Sequence, residues 1–178
     1  MIIRQATQED VLGIKNIFDS LQVSRDSKAK WGFVEHSRTE EEIRFLLNPY
    51  CLVAETDTGI IGCNVGYDKS FLIKNYDKIP DEEKSFLLKI PGDFFYLAQA
   101  GVLNPKKLIC GIAASEMHDR GVEIVKENGL YKIIGLIAEE PWKNERSLNF
   151  VLRKGYKRFD SVQFGNGLAF GAYELSFF

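Results

Sequence analysis

Apolar positions recur along this chain at two periods, and the period changes at glycines, prolines and short polar runs. Ile2 to Ala6 reads as a short strand. Thr7-Gln8-Glu9-Asp10 ends it, with Thr7 placed to cap a helix and Asp10 at the capping-box position. Val11, Ile14, Ile17, Phe18 and Leu21 then fall at helical spacing and predict a first helix with one apolar face. Ser24 to Lys30 is polar and irregular, and Trp31-Gly32-Phe33 interrupts it with two aromatics. A second capping box, Thr39-Glu40-Glu41-Glu42, predicts a helix with Ile43, Leu46 and Leu47 inward, stopped by Asn48-Pro49. Tyr50 to Glu55 and Ile60 to Tyr67 predict two strands around Thr56-Asp57-Thr58-Gly59, a turn suited to a tight antiparallel hairpin.

From Asp68 to Pro91 the pattern weakens. Lys69 to Tyr76 reads as helix or loop, and Pro80-Asp81-Glu82-Glu83 starts a short helix carrying Phe86, Leu87 and Ile90; the stretch 68–92 reads as an insertion. Phe94 to Leu103 is the central apolar strand. Pro105 cannot donate to a ladder and turns Asn104 away from helical angles, so the strand must stop there. An amphipathic helix begins near Cys110 and runs to Glu127, with Ala113, Met117, Gly121, Ile124 and Val125 on one side and Asn128-Gly129 as its stop. Tyr131 to Ala138 is apolar enough for an interior strand. Glu139-Glu140-Pro141-Trp142 reads as a loop. Asn144 opens a helix in which Leu148, Val151 and Leu152 pack before Gly155 ends it, and two closing strands, Tyr156 to Phe164 and Leu168 to Phe177, flank Gly165-Asn166-Gly167. The order predicts a mixed α/β (α+β) domain, its sheet largely antiparallel and flanked by helices, with one parallel pair across the helix from 110 to 127.

A length of 178 residues suits one core, so a single domain over 1–178 is expected. Apolar residues make up 45% and charged ones 27%, the balance of an ordinary globule. A net charge of −2 argues against a coat for nucleic acid or anionic lipid, and neither a nucleic-acid nor a membrane partner is expected. Cys51, Cys63 and Cys110 are odd in number and widely spaced, which reads as reduced, mostly buried thiols in a cytoplasmic protein. Met1-Ile2-Ile3-Arg4-Gln5 turns polar too soon for a signal peptide, and no apolar run approaches the roughly 20 residues of a membrane span.

Candidate chemistry gathers after Pro105. Lys106 and Lys107 precede Leu108-Ile109-Cys110-Gly111-Ile112-Ala113, where Gly111 and Ala113 are the small side chains. A helix's first turn presents unpaired amides and roughly half a positive charge, which suits an anion, most often a phosphate. Close packing of helix on sheet is the competing reason for those two small residues, and a solvated pair the competing reading of the lysines. The spacing of Gly165, Gly167 and Gly171 has strands on both sides, so it reads as hairpin geometry rather than a dinucleotide loop. His118 reads as a surface residue of its helix.

The element order and three stretches together resemble the GNAT superfamily of acyl-CoA-dependent N-acyltransferases. The stretches are Ile3-Arg4-Gln5-Ala6-Thr7 with Asp10 and Ile14; Leu108-Ile109-Cys110-Gly111-Ile112-Ala113, similar to the family's Q/R-x-x-G-x-G/A loop, after Val102-Leu103-Asn104-Pro105; and Asn144 with Ser147 and Gly155-Tyr156. The resemblance covers nearly the whole chain outside 68–92. It implies the GNAT fold with a splayed central strand pair, an acetyl-CoA co-substrate and no metal. Amides from Ile109 through Cys110, Gly111 and Ile112 to Ala113 would hold the pyrophosphate, with Lys106 or Lys107 as a point charge. Val102 and Leu103 would pair with the pantetheine arm as an added strand, and Asn144 and Ser147 would line it. Leu108 stands where the family has Gln or Arg, and Val151 where many members carry a Tyr that protonates the thiolate. Ser147, Tyr156 and Tyr96 are the nearby hydroxyls. For the base, Leu97 and Gln99 on the central strand offer nothing, and Glu139 and Glu140 are the closest carboxylates. Trp31, Phe33 and His36 are candidates for the acceptor wall.

The expectation is an N-acetyltransferase acting by direct attack in a ternary complex on a small-molecule or peptide amine, with a homodimer compatible with the aromatic closing strands. The alternative is an acyl-CoA-binding sensor domain that has lost its chemistry.

Overall fold

The computed structural model describes residues 1–22, 34, 37–165 and 167–177. Trp31, Phe33 and His36 lie outside them. Among the described residues are seven strands and six α-helices: β1 Ile2–Gln5, α1 Val11–Leu21, α2 Glu40–Leu46, β2 Leu52–Thr56, β3 Gly59–Asp68, α3 Lys69–Lys74, α4 Asp81–Leu87, β4 Phe95–Val102, α5 Leu108–Glu127, β5 Lys132–Glu140, α6 Glu145–Arg153, β6 Lys157–Gln163 and β7 Ala169–Ser176. The class is mixed α/β, with predominantly antiparallel strands. Contacts group the residues into two compact units, Met1–Gly66 with Ala98–Ile124, and Tyr67–Leu97 with Val125–Phe178.

In the first unit β1, β2 and β3 pair antiparallel in that order. The β2–β3 hairpin closes at Thr56↔Gly59, where Gly59 has φ +110° and the turn therefore favours glycine. Val11, Ile14, Ile17 and Phe18 of α1 and Ile43 and Leu46 of α2 are buried, so the helical spacing of the sequence does place one face in the core. Gly101 and Val102 are neighbours on β4 and project to opposite faces. A β-carbon at Gly101 would lie 2.5 Å from Leu21 Cδ1 and 3.2 Å from Ile17 Cγ2, so α1 packs directly on the strand backbone there. On the other face Val102 joins Ile3, Ile61, Ala54, Ala113 and Met117, and Gly62 leaves room for the Met117 thioether.

The second unit contains the start of β4, then β5, β7 and β6. Phe95, Tyr96 and Leu97 pair in parallel with Ile133, Ile134 and Gly135, while β4 itself continues to Val102. This is the parallel pair expected across the long helix. β7 runs antiparallel to both β5 and β6, which makes β5 an interior strand. The 68–92 insertion belongs to this unit's core rather than to its surface: Leu72 and Leu87 are fully buried and Phe86 and Ile90 nearly so. Asp68 caps α3 by accepting from the Phe71 amide at 2.7 Å, and the Lys69 amide donates to Phe94 at 3.2 Å, closing the insertion where it leaves and rejoins the sheet. The thiols of Cys51, Cys63 and Cys110 are all free and buried.

Four boundaries or placements differ from expectation. α5 starts at Leu108 instead of near Cys110, because Lys107 donates to the Asn104 carbonyl and then accepts from Cys110 and Gly111, setting the first helical turn earlier. β5 continues through Glu139 and Glu140, where a loop was expected, because β7 extends the ladder to Glu140↔Ala169. Leu152 is 49% exposed rather than packed; Val151 takes the inward position, and its neighbour is rotated by roughly 100° on the helix. The His118 side chain is largely buried, with Nδ1 3.0 Å from Asp119 Oδ1, where a surface position was expected.

Candidate active site

The corner between β4 and α5 lies in the first unit. Strand residues alternate the side to which they offer N–H and C=O. The Leu103 amide is spent on the Ile61 carbonyl at 2.8 Å, so Val102 is the residue that offers its pair to the edge away from β3. After it comes an Asx turn, in which Asn104 Oδ1 accepts from the Lys106 amide at 3.3 Å and the Asn104 carbonyl from the Lys107 amide at 3.0 Å. Cys110 and Gly111 donate to Lys107, and Ile112 and Ala113 lie in the second turn. The amides without an intrahelical carbonyl are therefore those of the first turn, at Leu108 and Ile109.

The two small residues at this corner serve different ends. Ala113 is fully buried in the cluster with Met117 and Val102, so its size is a packing requirement. A β-carbon at Gly111 would meet no atom within 4 Å. Helix packing does not call for glycine there, and the bare backbone faces open space. Cys110 is buried beneath it, whereas Lys106, Lys107, Leu108, Ile109 and Ile112 are exposed, with Leu108 at 80%. Two ammonium groups and the positive end of a 20-residue helix thus share one solvent-facing corner, a fit for an anion that needs close backbone approach.

In the second unit Asn144 is the N-cap of α6. Its Oδ1 accepts from the Ser147 amide at 3.2 Å and its own amide donates to Ala138 at 2.9 Å, so it fastens the helix to the end of β5. Ser147 is half-buried. Val151 is 8% exposed and packed, and no hydroxyl stands at that position. Tyr156 is nearly enclosed, and burial pushes its phenol above the usual range.

Glu139 and Glu140 part company. Glu139 takes two contacts from Arg158, at 3.1 and 2.9 Å, and accepts from Tyr173 Oη at 2.9 Å. The guanidinium holds its carboxyl below the ordinary value, ahead of the opposing effect of burial, and this weakens it as a proton acceptor. Glu140 is exposed on the strand's last position.

One carboxylate that the sequence marks only as part of a helix start has a different setting in the structure. Glu83, on α4 of the insertion, accepts from the hydroxyls of Tyr67 and Tyr96, the latter at 3.4 Å, and is half-buried. The two rings meet edge to face at 5.3 Å between centroids, and Phe71 stacks on Tyr67 at 5.4 Å. In sequence Glu83 is the third acidic residue after Pro80, which looks like ordinary charge complementing a helix start. No local signal distinguishes it. Among the described residues no group of His, Cys, Asp and Glu is arranged to hold a metal ion, and no helix is long and apolar enough to cross a membrane.

No protein-family model matches the sequence, and no curated protein matches it in sequence. Solved structures do match, over nearly the full length of both chains. Polyamine N-acetyltransferase of Drosophila melanogaster, which forms N-acetylagmatine, superposes with TM-score 0.65 at 12% identity, covering 98% of this chain and 99% of that one. Arabidopsis thaliana Naa50, in complex with the bisubstrate analogue CoA-Ac-MVNAL, gives 0.66 at 12%, covering 99% and 98%. Ribosomal-protein-alanine N-acetyltransferase of Brucella melitensis gives 0.65 at 18%, covering 99% of each chain. The chain has the GNAT fold.

Proposed function

From that fold we propose that the protein is an N-acetyltransferase, moving an acetyl or other short acyl group from acetyl-CoA to a primary amine by direct attack on the thioester in a ternary complex. The observation that carries this reading is the open approach to the Gly111 backbone at the start of α5, which packing does not require and a diphosphate would use. Lys107, with the first-turn amides of Leu108 and Ile109, would hold the diphosphate. Gly111 and Ile112 would border it, and Cys110 and Ala113 would shape the corner from within. Val102 would pair with the pantetheine arm.

Two neighbours of the same fold support a reading of the acceptor class: the Drosophila enzyme forms N-acetylagmatine, and the Naa50 complex holds the bisubstrate analogue CoA-Ac-MVNAL. An amine carried by a small cationic molecule or by a peptide is the corresponding acceptor here.

Titration calorimetry with acetyl-CoA, followed by coenzyme A release against agmatine, polyamines, amino acids and a Met-Val-Asn-Ala-Leu peptide, tests the proposal. Binding with release on at least one amine is expected. Absence of both overturns it, and binding without release on any amine favours a sensor domain.

A further inference from the structure

Resting on the acyltransfer reading, we infer that Glu83, the carboxylate that the insertion sets against Tyr67 and Tyr96, receives the acceptor's ammonium group and takes the proton from it. The three acidic residues at the start of α4 have different surroundings. Asp81 is bridged to Lys84 at 2.6 Å and its side chain is 86% exposed; Glu82 is exposed; Glu83 is half-buried and turned onto the strands. Its partners are both neutral phenols, on buried tyrosines of β3 and β4. Among the described residues no cation pairs with it. Asp10 and Glu55 share Arg4, and Glu139 has Arg158.

A partly desolvated carboxylate without a counter-charge is costly, and an incoming cation lowers that cost. Two tyrosine hydroxyls occupy one lone pair on each oxygen and fix the carboxylate in place. A carboxylate has about four such acceptor sites, so the remaining ones are left for an N–H donor. The occupant that supplies both a positive charge and N–H donors is an alkylammonium, which is how a primary amine arrives at neutral pH.

The chemistry balances. One N–H proton passes from the ammonium to a Glu83 oxygen, freeing the nitrogen lone pair. Nitrogen adds to the thioester carbonyl, the C–N bond forms, and the C–S bond breaks with its electron pair on sulfur. The nitrogen's second proton ends on the departing thiolate, and Glu83 returns the first to water. Tyr67 and Tyr96 are positioning residues. The other ionisable side chains on the same helix are Asp81, Glu82 and Lys84, and Lys84 is occupied by Asp81.

The test is Glu83→Gln, which keeps the shape and the acceptor oxygen. Its melting temperature and acetyl-CoA affinity are expected to match wild type, while kcat with agmatine or the Met-Val-Asn-Ala-Leu peptide falls at least about 100-fold, the usual range for losing a general base. KM for the amine is expected to change far less than kcat. Turnover within threefold of wild type overturns the inference and leaves the acyltransfer reading standing. A wild-type protein that releases coenzyme A with none of these amines overturns both. If Glu83→Gln does not fold, Tyr67→Phe takes over with the charge intact. A tenfold lower kcat with KM for the amine little changed is then expected, and an unchanged kcat overturns the inference.

Discussion

Glu139 and Arg158 meet across an intervening strand. Glu139 lies on β5 and Arg158 on β6, with β7 paired to both, and their two contacts of 3.1 and 2.9 Å pass over Gly171. A β-carbon at Gly171 would stand 2.7 Å from Glu139 Cδ and 2.8 Å from Tyr173 Cε2, so the bare backbone there leaves room for the carboxylate and the ring. Gly171→Ala is expected to displace the carboxylate from both partners and to lower stability by about 1–3 kcal/mol, as overpacking does. Thermal unfolding of the variant measures it.

Asp10 ties the N-terminal strand to the first helix. It is 5% exposed, takes two contacts from Arg4 at 2.7 and 2.8 Å and accepts from the Thr7 amide at 2.8 Å. The guanidinium, outweighing burial, holds its carboxyl below the ordinary aspartate value. A depressed folded-state pKa stabilises above the unfolded value of about 3.9, and that contribution is lost as pH falls through the folded value. Asp10→Asn should therefore cost about 1–2 kcal/mol at pH 7, discounted for Arg4's partial exposure, and should flatten the acid side of the stability curve. Urea melts of both proteins between pH 7 and pH 2 decide it.

Local chemistry made the helix starts legible. Thr39 and Asn144 both cap where the sequence placed them, and Gly129 and Gly155 both end helices with positive φ. The strands of the second half were legible too, because their apolar runs are bounded by glycine and proline. What stayed hidden depends on strands meeting at a distance. Glu139 has Arg158 as its partner only because β7 lies between their strands, and Glu83 finds Tyr67 and Tyr96 only once the insertion folds back on the core. Gly111 stands out in the sequence as a small residue at a corner, but only the structure separates it from Ala113, whose smallness serves packing.

The open space at Gly111 makes a prediction in which stability and affinity move apart. Leucine is a good helix former and a β-carbon meets nothing within 4 Å there, so Gly111→Leu should keep or raise stability, by up to about 1 kcal/mol. The same side chain should block close approach of a diphosphate and weaken acetyl-CoA binding at least about tenfold, or about 1.4 kcal/mol. Melting curves alongside calorimetry read both. A variant that loses stability and keeps affinity would return this glycine to a packing role.

The insertion's burial predicts that it does not melt on its own. Leu87 is fully buried on α4, and Phe86 faces Phe159 of β6 with ring centroids 6.4 Å apart. Leu87→Ala should cost about 2–5 kcal/mol, the range for a buried leucine. Hydrogen exchange should show the amides of α4 and β6 losing protection together. A loss confined to α4 would mark the insertion as an independently opening segment.

Leu108 offers a gain-of-function test of the anion corner. It sits in the first turn of α5, beside Lys107, and at 80% exposure it contributes no polar contact and little buried area. The resemblance puts Gln or Arg at this position. A guanidinium there would add two parallel donors toward a phosphate, which a lysine's point charge does not supply. Against this stands a third positive charge next to Lys106 and Lys107, at a helix end that already favours anions, so the free protein should lose a few tenths of a kcal/mol. In the complex the phosphate charge reverses the sign of that repulsion. Leu108→Arg is therefore expected to bind acetyl-CoA about threefold to tenfold more tightly at low salt, with most of the gain lost at 0.5 M salt because the site is exposed to screening. Equal affinity at every salt concentration would mean that the bound anion lies elsewhere, and it would remove Lys107 and the first turn of α5 from the proposed site.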